Sequence, residues 1–488
     1  MKRKKFWIVL AVCLGIIVLL SVKVYLFFNA KPNIKINYVA KWNKLSKPAN
    51  YDPNQNAYFD YKKALDCEVK RPQQINYPDK YPDWSDWPGD MNEGQLKIVK
   101  DWVKQNSKSI YYFKQASVKP YSWSENDENN VDTDYLAFGN FALVNFMDCV
   151  TAVEWEAKIN ASDNQLPAAF DNIAILLQTG NLLIYGKKSA SEQLDGQFAR
   201  IRACRAMLMI LDNGRIDKPL LEDLKKKLDI INSNAQGTID LETERMTMYH
   251  NIQRYFSDDG KGSGHLLYAK IKGSFSRDED KFSLSEYLDN LFSGKRQPRR
   301  PGPLWLAIRG PDRKAYLQMA DKLIQCQYDL QGKLSQKERK AKEDVISSFY
   351  NLVRQDYPFL TFRIPRTDDL ALERRTKAEL QGILTLLSIF LYKADKGSYP
   401  VNLTELVLTG YIKTIPEDPF RNGPLIYKQA VDNFTLYSVG MNGTDEGGKI
   451  IRDNAGRILM WDKKGDTVFW PRPKETEQEK QKRLAERK

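Results

Sequence analysis

The chain has 488 residues, 42% of them apolar and 28% charged, enough for a packed core and for two or three domains of ordinary size. Lys and Arg total 75 against 62 Asp and Glu, a net charge of +13, yet no basic run is interleaved with stacking aromatics; this excludes nucleic acid and favours an anionic surface such as a lipid headgroup layer or an envelope polymer. Two histidines exclude multi-His metal sites, and five scattered cysteines without a C-x-x-C exclude a disulfide scaffold.

Residues 1–28 read as a transmembrane anchor. Lys2–Lys5 precede an apolar run from Phe6 to Phe28 that only Ser21 and Lys23 interrupt. About 20 apolar residues cross the hydrocarbon layer, and Trp7 and Tyr25 bracket the run as interfacial aromatics do. The basic cluster favours a cytoplasmic N terminus, which places the bulk of the chain outside the inner membrane. A cleaved signal peptide is the rival reading. It requires a shorter apolar core and a small-x-small cleavage site, which Leu26-Phe27-Phe28 and Asn29-Ala30-Lys31 do not offer.

Residues 29–92 read as an extended and irregular leader, because Pro32, Pro48 and Pro53 interrupt helix. A short helix is expected from Asn56 to Leu65. An aromatic loop follows around Tyr77–Gly89, where sugar or peptide stacking competes with a plain surface role. Residues 93–370 read as a helical domain of antiparallel hairpins. Leu166, Phe170, Ile173 and Leu177 share one helix face, as do Leu194, Phe198, Ile201, Cys204, Leu208 and Leu211. The second of these helices ends at Asp212-Asn213-Gly214, a signal for a left-handed cap. Asp217 caps the next, with Pro219 in its first turn. Residues 293–303 form a basic linker, read as a solvated loop or an anion-docking segment.

Residues 371–473 read as a small α+β domain. A helix over about 370–393 carries Leu380, Ile383, Leu384, Leu387, Phe390 and Leu391, too short an apolar core to span lipid. Strands are expected at Pro424–Lys428, Phe434–Ser438, Ile458–Trp461 and Thr467–Trp470. A charged tail, 474–488, closes the chain. The fold class expected is therefore mostly α: a membrane-anchored helical-hairpin domain followed by the small α+β unit.

This last unit carries ordered motifs: Gly397-Ser398-Tyr399-Pro400, Leu403-x-x-Leu406, Gly410-Tyr411-Ile412, Pro416-x-Asp418-Pro419-Phe420, and Leu436-Tyr437-Ser438-Val439-Gly440 with a Gly/Asp loop after it. Over about residues 372–470 the chain resembles the major pseudopilin of type II secretion, and as a whole it resembles membrane-anchored planctomycete-type proteins that carry this module. The resemblance implies a helix lying on a small sheet and a calcium site in the loop after the Tyr-Ser-x-Gly motif. Carried over residue by residue, the metal ligands are Ser438, Asn442, Asp445 and Asp466, with Glu446 and Asp453 in reserve. Calcium prefers six to eight oxygens in a flexible loop, which this composition can supply. The chain departs from a pseudopilin in the roughly 340 residues between anchor and module and in the absence of any acidic residue between Phe6 and Phe28.

No phosphate-binding loop, H-E-x-x-H or G-x-S-x-G occurs in a usable context. Glu154 with Glu156, and Glu242 with Glu244, do not share helix faces. No catalytic or cofactor-binding residue is assigned. The function expected is non-enzymatic: docking or scaffolding in the cell envelope or a secretion-type assembly, with the membrane and an envelope protein or anionic polymer as partners and calcium as the bound ion. The alternative is a glycan-directed envelope hydrolase with its site in the helical domain.

Overall fold

The structure, a computed structural model, describes residues 2–72, 87–129, 146–234, 239–271 and 303–478, apart from breaks at 332–333, 335, 358–359, 361–366, 422, 454–457, 475 and 477. Most of the aromatic loop, nearly all of the basic linker and most of the charged tail lie outside the described residues. The chain is mostly helical with one small three-stranded antiparallel sheet.

Helix α1 spans Lys2–Phe28. Its segment Phe6–Phe28 is long and apolar enough to cross a membrane and has no burial against the rest of the chain. Only its last residues touch the body. Phe27 stacks on His265 with ring centroids 3.8 Å apart, and Phe28 meets Tyr268 edge-on. The Phe27 carbonyl lies 3.0 Å from His265 Nε2. A carbonyl only accepts, so Nε2 carries the proton and Nδ1 accepts from the Ser257 hydroxyl at 2.9 Å.

The proline-rich leader is not extended throughout. Helix α2 covers Tyr38–Ser46, started by Asn37, whose side chain accepts from the Ala40 amide. Val39 and Trp42 give it a buried face, and that burial outweighs the local breakers, which act only at its ends. Helix α3 (Ala57–Asp66) agrees with the expected short helix, capped by Asn56.

Next come α4 (Glu93–Gln105), α5 (Ser107–Ser117), α6 (Phe146–Ser162), α7 (Leu166–Ile184), α8 (Ala190–Asn213) and α9 (Lys218–Ser233). Glycines set the closest crossing, between α7 and α8. A Cβ on Gly180 would stand 2.8 Å from the Gly196 carbonyl, and one on Gly196 would stand 2.7 Å from the Gly180 carbonyl. Asp217 caps α9 as its sequence position predicts, accepting from the Leu220 amide. Gly214 ends α8 in an extended conformation, φ −88°, rather than the left-handed one.

Helices α10 (Glu242–Tyr255), α11 (Tyr268–Ile271), α12 (Pro303–Arg309), α13 (Arg313–Gln331) and α14 (Gln336–Asp356) follow. Then come α15 (Thr367–Lys396) and the short α16 (Leu403–Leu408), capped by Asn402. Strands β1 (Ile426–Gln429), β2 (Phe434–Ser438) and β3 (Thr467–Trp470) form the sheet in the order β1-β2-β3. The β1–β2 hairpin pairs Gln429 with Phe434 and Ile426 with Tyr437. The segment Ile458–Trp461 is not a strand, contrary to its apolar composition. Ile458 makes an isolated bridge to Arg452, and Trp461 takes φ +62°, which no ladder accommodates.

Among the described residues, two large apolar cores form, beside a small cluster around Val39 and Trp42. The first joins α3 to α9 with α15 and the sheet, from Ala57 and Trp155 to Leu387 and Phe469. It does not stop at the residue-370 boundary drawn from sequence, because α15 packs against α8 and α9 on one side and β2 and β3 on the other. Ion pairs tie the same seam: Lys218 to Asp395 at 2.6 Å and Arg472 to Asp212 at 3.1 Å. The second core gathers α10 and α12 to α14 around Phe256, Tyr316, Leu323 and Val353, and the half-buried Phe27 packs against it.

Candidate functional site

The loop after β2 is the site the motifs single out. Its foundation is Asp418, 1% exposed, in the Pro416–Phe420 turn. One oxygen of Asp418 accepts from the Phe420 amide at 3.0 Å and the Ser438 hydroxyl at 2.9 Å, and the other accepts from the Val439 amide at 2.9 Å. Burial raises the Asp418 carboxyl, and these donors pull it back toward the charged form. Ser438 Oγ in turn accepts from the Gly440 amide. Gly440 has φ +68°, and a Cβ there would meet the Gly465 carbonyl at 2.6 Å, so the turn admits no side chain.

Asp466 organises the other side of the loop. Its Oδ2 accepts from the amides of Gly448 at 2.7 Å and Lys449 at 3.0 Å, and its Oδ1 from Glu446 at 3.4 Å. Asp445 Oδ1 accepts from the Gly447 amide and the Tyr437 hydroxyl. The Gly447 amide is the chief influence holding the Asp445 carboxyl below its usual range, with the Tyr437 hydroxyl helping. Asn442 accepts from the Thr444 amide and donates to Glu446 Oε1 at 2.7 Å.

Of the four residues assigned to calcium, Ser438 closes β2 and Asn442, Asp445 and Asp466 lie in the connection to β3, and oxygens of all four accept from N–H or O–H donors. Among the described residues, no three His, Cys, Asp or Glu side chains converge to hold a metal ion. One solvent-inaccessible oxygen, Glu446 Oε2, has no hydrogen-bond partner. Calcium takes six to eight oxygens, so backbone carbonyls and water would have to supplement these side chains. Asp418, which accepts as many hydrogen bonds as Asp466, received no role from sequence, although it stands inside a quoted motif.

The acidic pairs weighed for hydrolysis are each turned to a separate partner. Glu154 is buried between Lys158 at 2.8 Å and Arg202 at 2.9 Å. Burial alone would raise its carboxyl, and the two cations more than reverse that. Glu156 pairs with Lys114, and Glu244 accepts from the Ala190 amide. Glu68 does meet another carboxylate, Asp148. Burial first, then Asp148, pushes Glu68 up to about 7. The thiols are free: Cys149 and Cys204 are buried, and Cys67 and Cys326 partly so.

A buried polar seam joins the helical body to the sheet unit. Glu379 on α15 has no exposed surface. Its Oε1 accepts from Trp461 Nε1 at 2.7 Å and lies 3.7 Å from Arg205 Nη2 on α8. Burial pushes the Glu379 carboxyl up, with Arg205 acting against it. This bond explains why Trp461 leaves the strand conformation: its indole serves the buried acid instead.

Comparison with protein-family models, curated proteins and solved structures finds no match.

Proposed function

We propose that this is a single-pass inner-membrane protein with a cytoplasmic N terminus and an extracytoplasmic body that docks or scaffolds envelope components. Its C-terminal unit, α15 with the three-stranded sheet, is read as a pseudopilin-like module used for docking rather than for fibre assembly. The observation that carries the tether is the seating of the end of α1. The Phe27 ring and carbonyl both engage His265, so the apolar helix ends on the body it would hold. Its remaining apolar surface is bare and calls for lipid. A cleaved leader gains nothing from such a docking contact. The docking role rests on the module being clamped to the helical body through α15, which makes it a fixed fixture of one face.

The test is made on the full chain in membranes. Alkaline extraction should leave it in the pellet, the mature N terminus should retain residues 2–28, and external protease should reach the body but not Lys2–Lys5. A mature chain that begins after Phe28 sinks the tether.

A further inference from the structure

Among the described residues, one cavity has a strongly unbalanced lining. It lies where α14, the start of α15 and the loops of the sheet unit meet, and encloses about 370 Å³. Arg339, Lys340, Arg374, Arg421 and Lys463 line it. Facing these five cations are two carboxylates, Glu343 and Asp344.

Arg374 shows how the charge is held. Its guanidinium lies 5.0 Å over the Phe420 ring, with its side chain 18% exposed. One nitrogen is 3.4 Å from Glu343 Oε1, a long contact. Burial, followed by the like charge of Arg339, holds the Arg374 guanidinium down to about 10. Arg339 is fixed from behind, donating to the Leu330 carbonyl at 2.8 Å. Two positioned guanidiniums thus repel each other in a partly dry wall, and an anion between them would relieve that repulsion. Arginine forks match the oxygens of phosphate and carry charge at any physiological pH. The volume falls within the range of small-molecule sites and exceeds what an inorganic ion fills. Phe420 and Met441 offer apolar wall for the remainder of a ligand.

We propose that this cavity binds the phosphate group of a small phosphorylated molecule, with Arg339, Arg374 and Arg421 as its recognition groups. The site stands whether or not the chain is tethered to a membrane.

The test is calorimetric titration of the full chain in neutral detergent at constant ionic strength, with glucose 1-phosphate and inorganic phosphate as probes. Saturable binding of glucose 1-phosphate is expected, with inorganic phosphate competing. The double variant Arg421→Gln/Lys463→Gln, which spares the Arg374–Glu343 pair, should weaken binding at least tenfold with unchanged Tm. Absence of saturable binding, or equal binding by the double variant, overturns the proposal. Displacement by phosphatidylglycerol vesicles assigns the phosphate to a headgroup, and indifference to them assigns it to a soluble ligand; both results require the cavity.

Discussion

Among the described helices α1 and α15 are the two longest and both carry apolar runs, yet they meet opposite surroundings. From Phe6 to Leu26 α1 leaves its flank bare, whereas the middle of the 30-residue α15 is enclosed between helices and sheet. Hydrophobicity separates them, since among the described helices α1 alone is apolar enough to cross a membrane, and their polar residues separate them as well. Between Phe6 and Phe28, α1 offers polar partners only through Ser21, Lys23 and the N–H and O–H tips of Trp7 and Tyr25. In α15, Thr376, Glu379, Thr385 and Ser388 are buried; the three hydroxyls donate to carbonyls of their own helix, and Glu379 accepts from Trp461 outside it. A helix meant for protein contact is addressed by the polar groups it must satisfy, and a helix meant for lipid is addressed by having few to satisfy.

The comparison can be broken most directly at Glu379. Glu379→Ala removes the acid that faces both Arg205 and Trp461, and loss of one partner from a buried ionic contact costs about 3–5 kcal/mol. Denaturant unfolding of the detergent-solubilised chain should show that loss, and a change below about 1 kcal/mol would mean that the seam is not a structural address.

Glycine gives a paired test of intermediate size. A Cβ on Gly382 of α15 would stand 2.7 Å from the ring of the buried Phe469, while one on Gly15 of α1 would meet nothing within 4 Å. Gly382→Ala should therefore destabilise by about 1–3 kcal/mol through overpacking, and Gly15→Ala should leave the melting transition in place. Equal effects would erase the distinction between the two helices.

The smallest effect expected is that of calcium. Asp418 and Asp466 already close the sheet loop by accepting backbone N–H groups. Added calcium or chelator should move Tm by less than 1 °C, whereas binding at 100 times Kd would add about 2.7 kcal/mol. A clear calcium-dependent rise would mean that the loop rearranges to build a different oxygen shell.

What the sequence disclosed was local. The Asp217 cap, the face of α7, the β1–β2 hairpin and the apolar stripe of α15 all follow from spacings of a few residues, and the structure has them; the face expected on α8 is broken at Phe198, which is 44% exposed. The strand expected at Ile458–Trp461 failed because a distant acid, Glu379, claims the indole of Trp461. Helix α2 was hidden behind prolines, its supporting contact to Met246 on α10 being some 200 residues away. Likewise the oxygens of Asp445 and Asp466 are the right atoms for a metal by composition, while their use is fixed by amides that only the folded loop aims at them. The basic cavity had no sequence signature, since its cations come from positions 339, 374, 421 and 463, separated by ordinary charged stretches.

The interleaved first core also has a consequence for how the chain is made. Its helical part is complete in sequence at Ile231, but the face that α15 covers must wait for Ala378 and beyond, about 150 residues later. At roughly 5–20 residues per second, that face stays open for about ten to thirty seconds on every nascent chain. A ribosome that stalls in the interval leaves an unfinished apolar surface, so this protein should depend on a chaperone during synthesis more heavily than its finished form suggests.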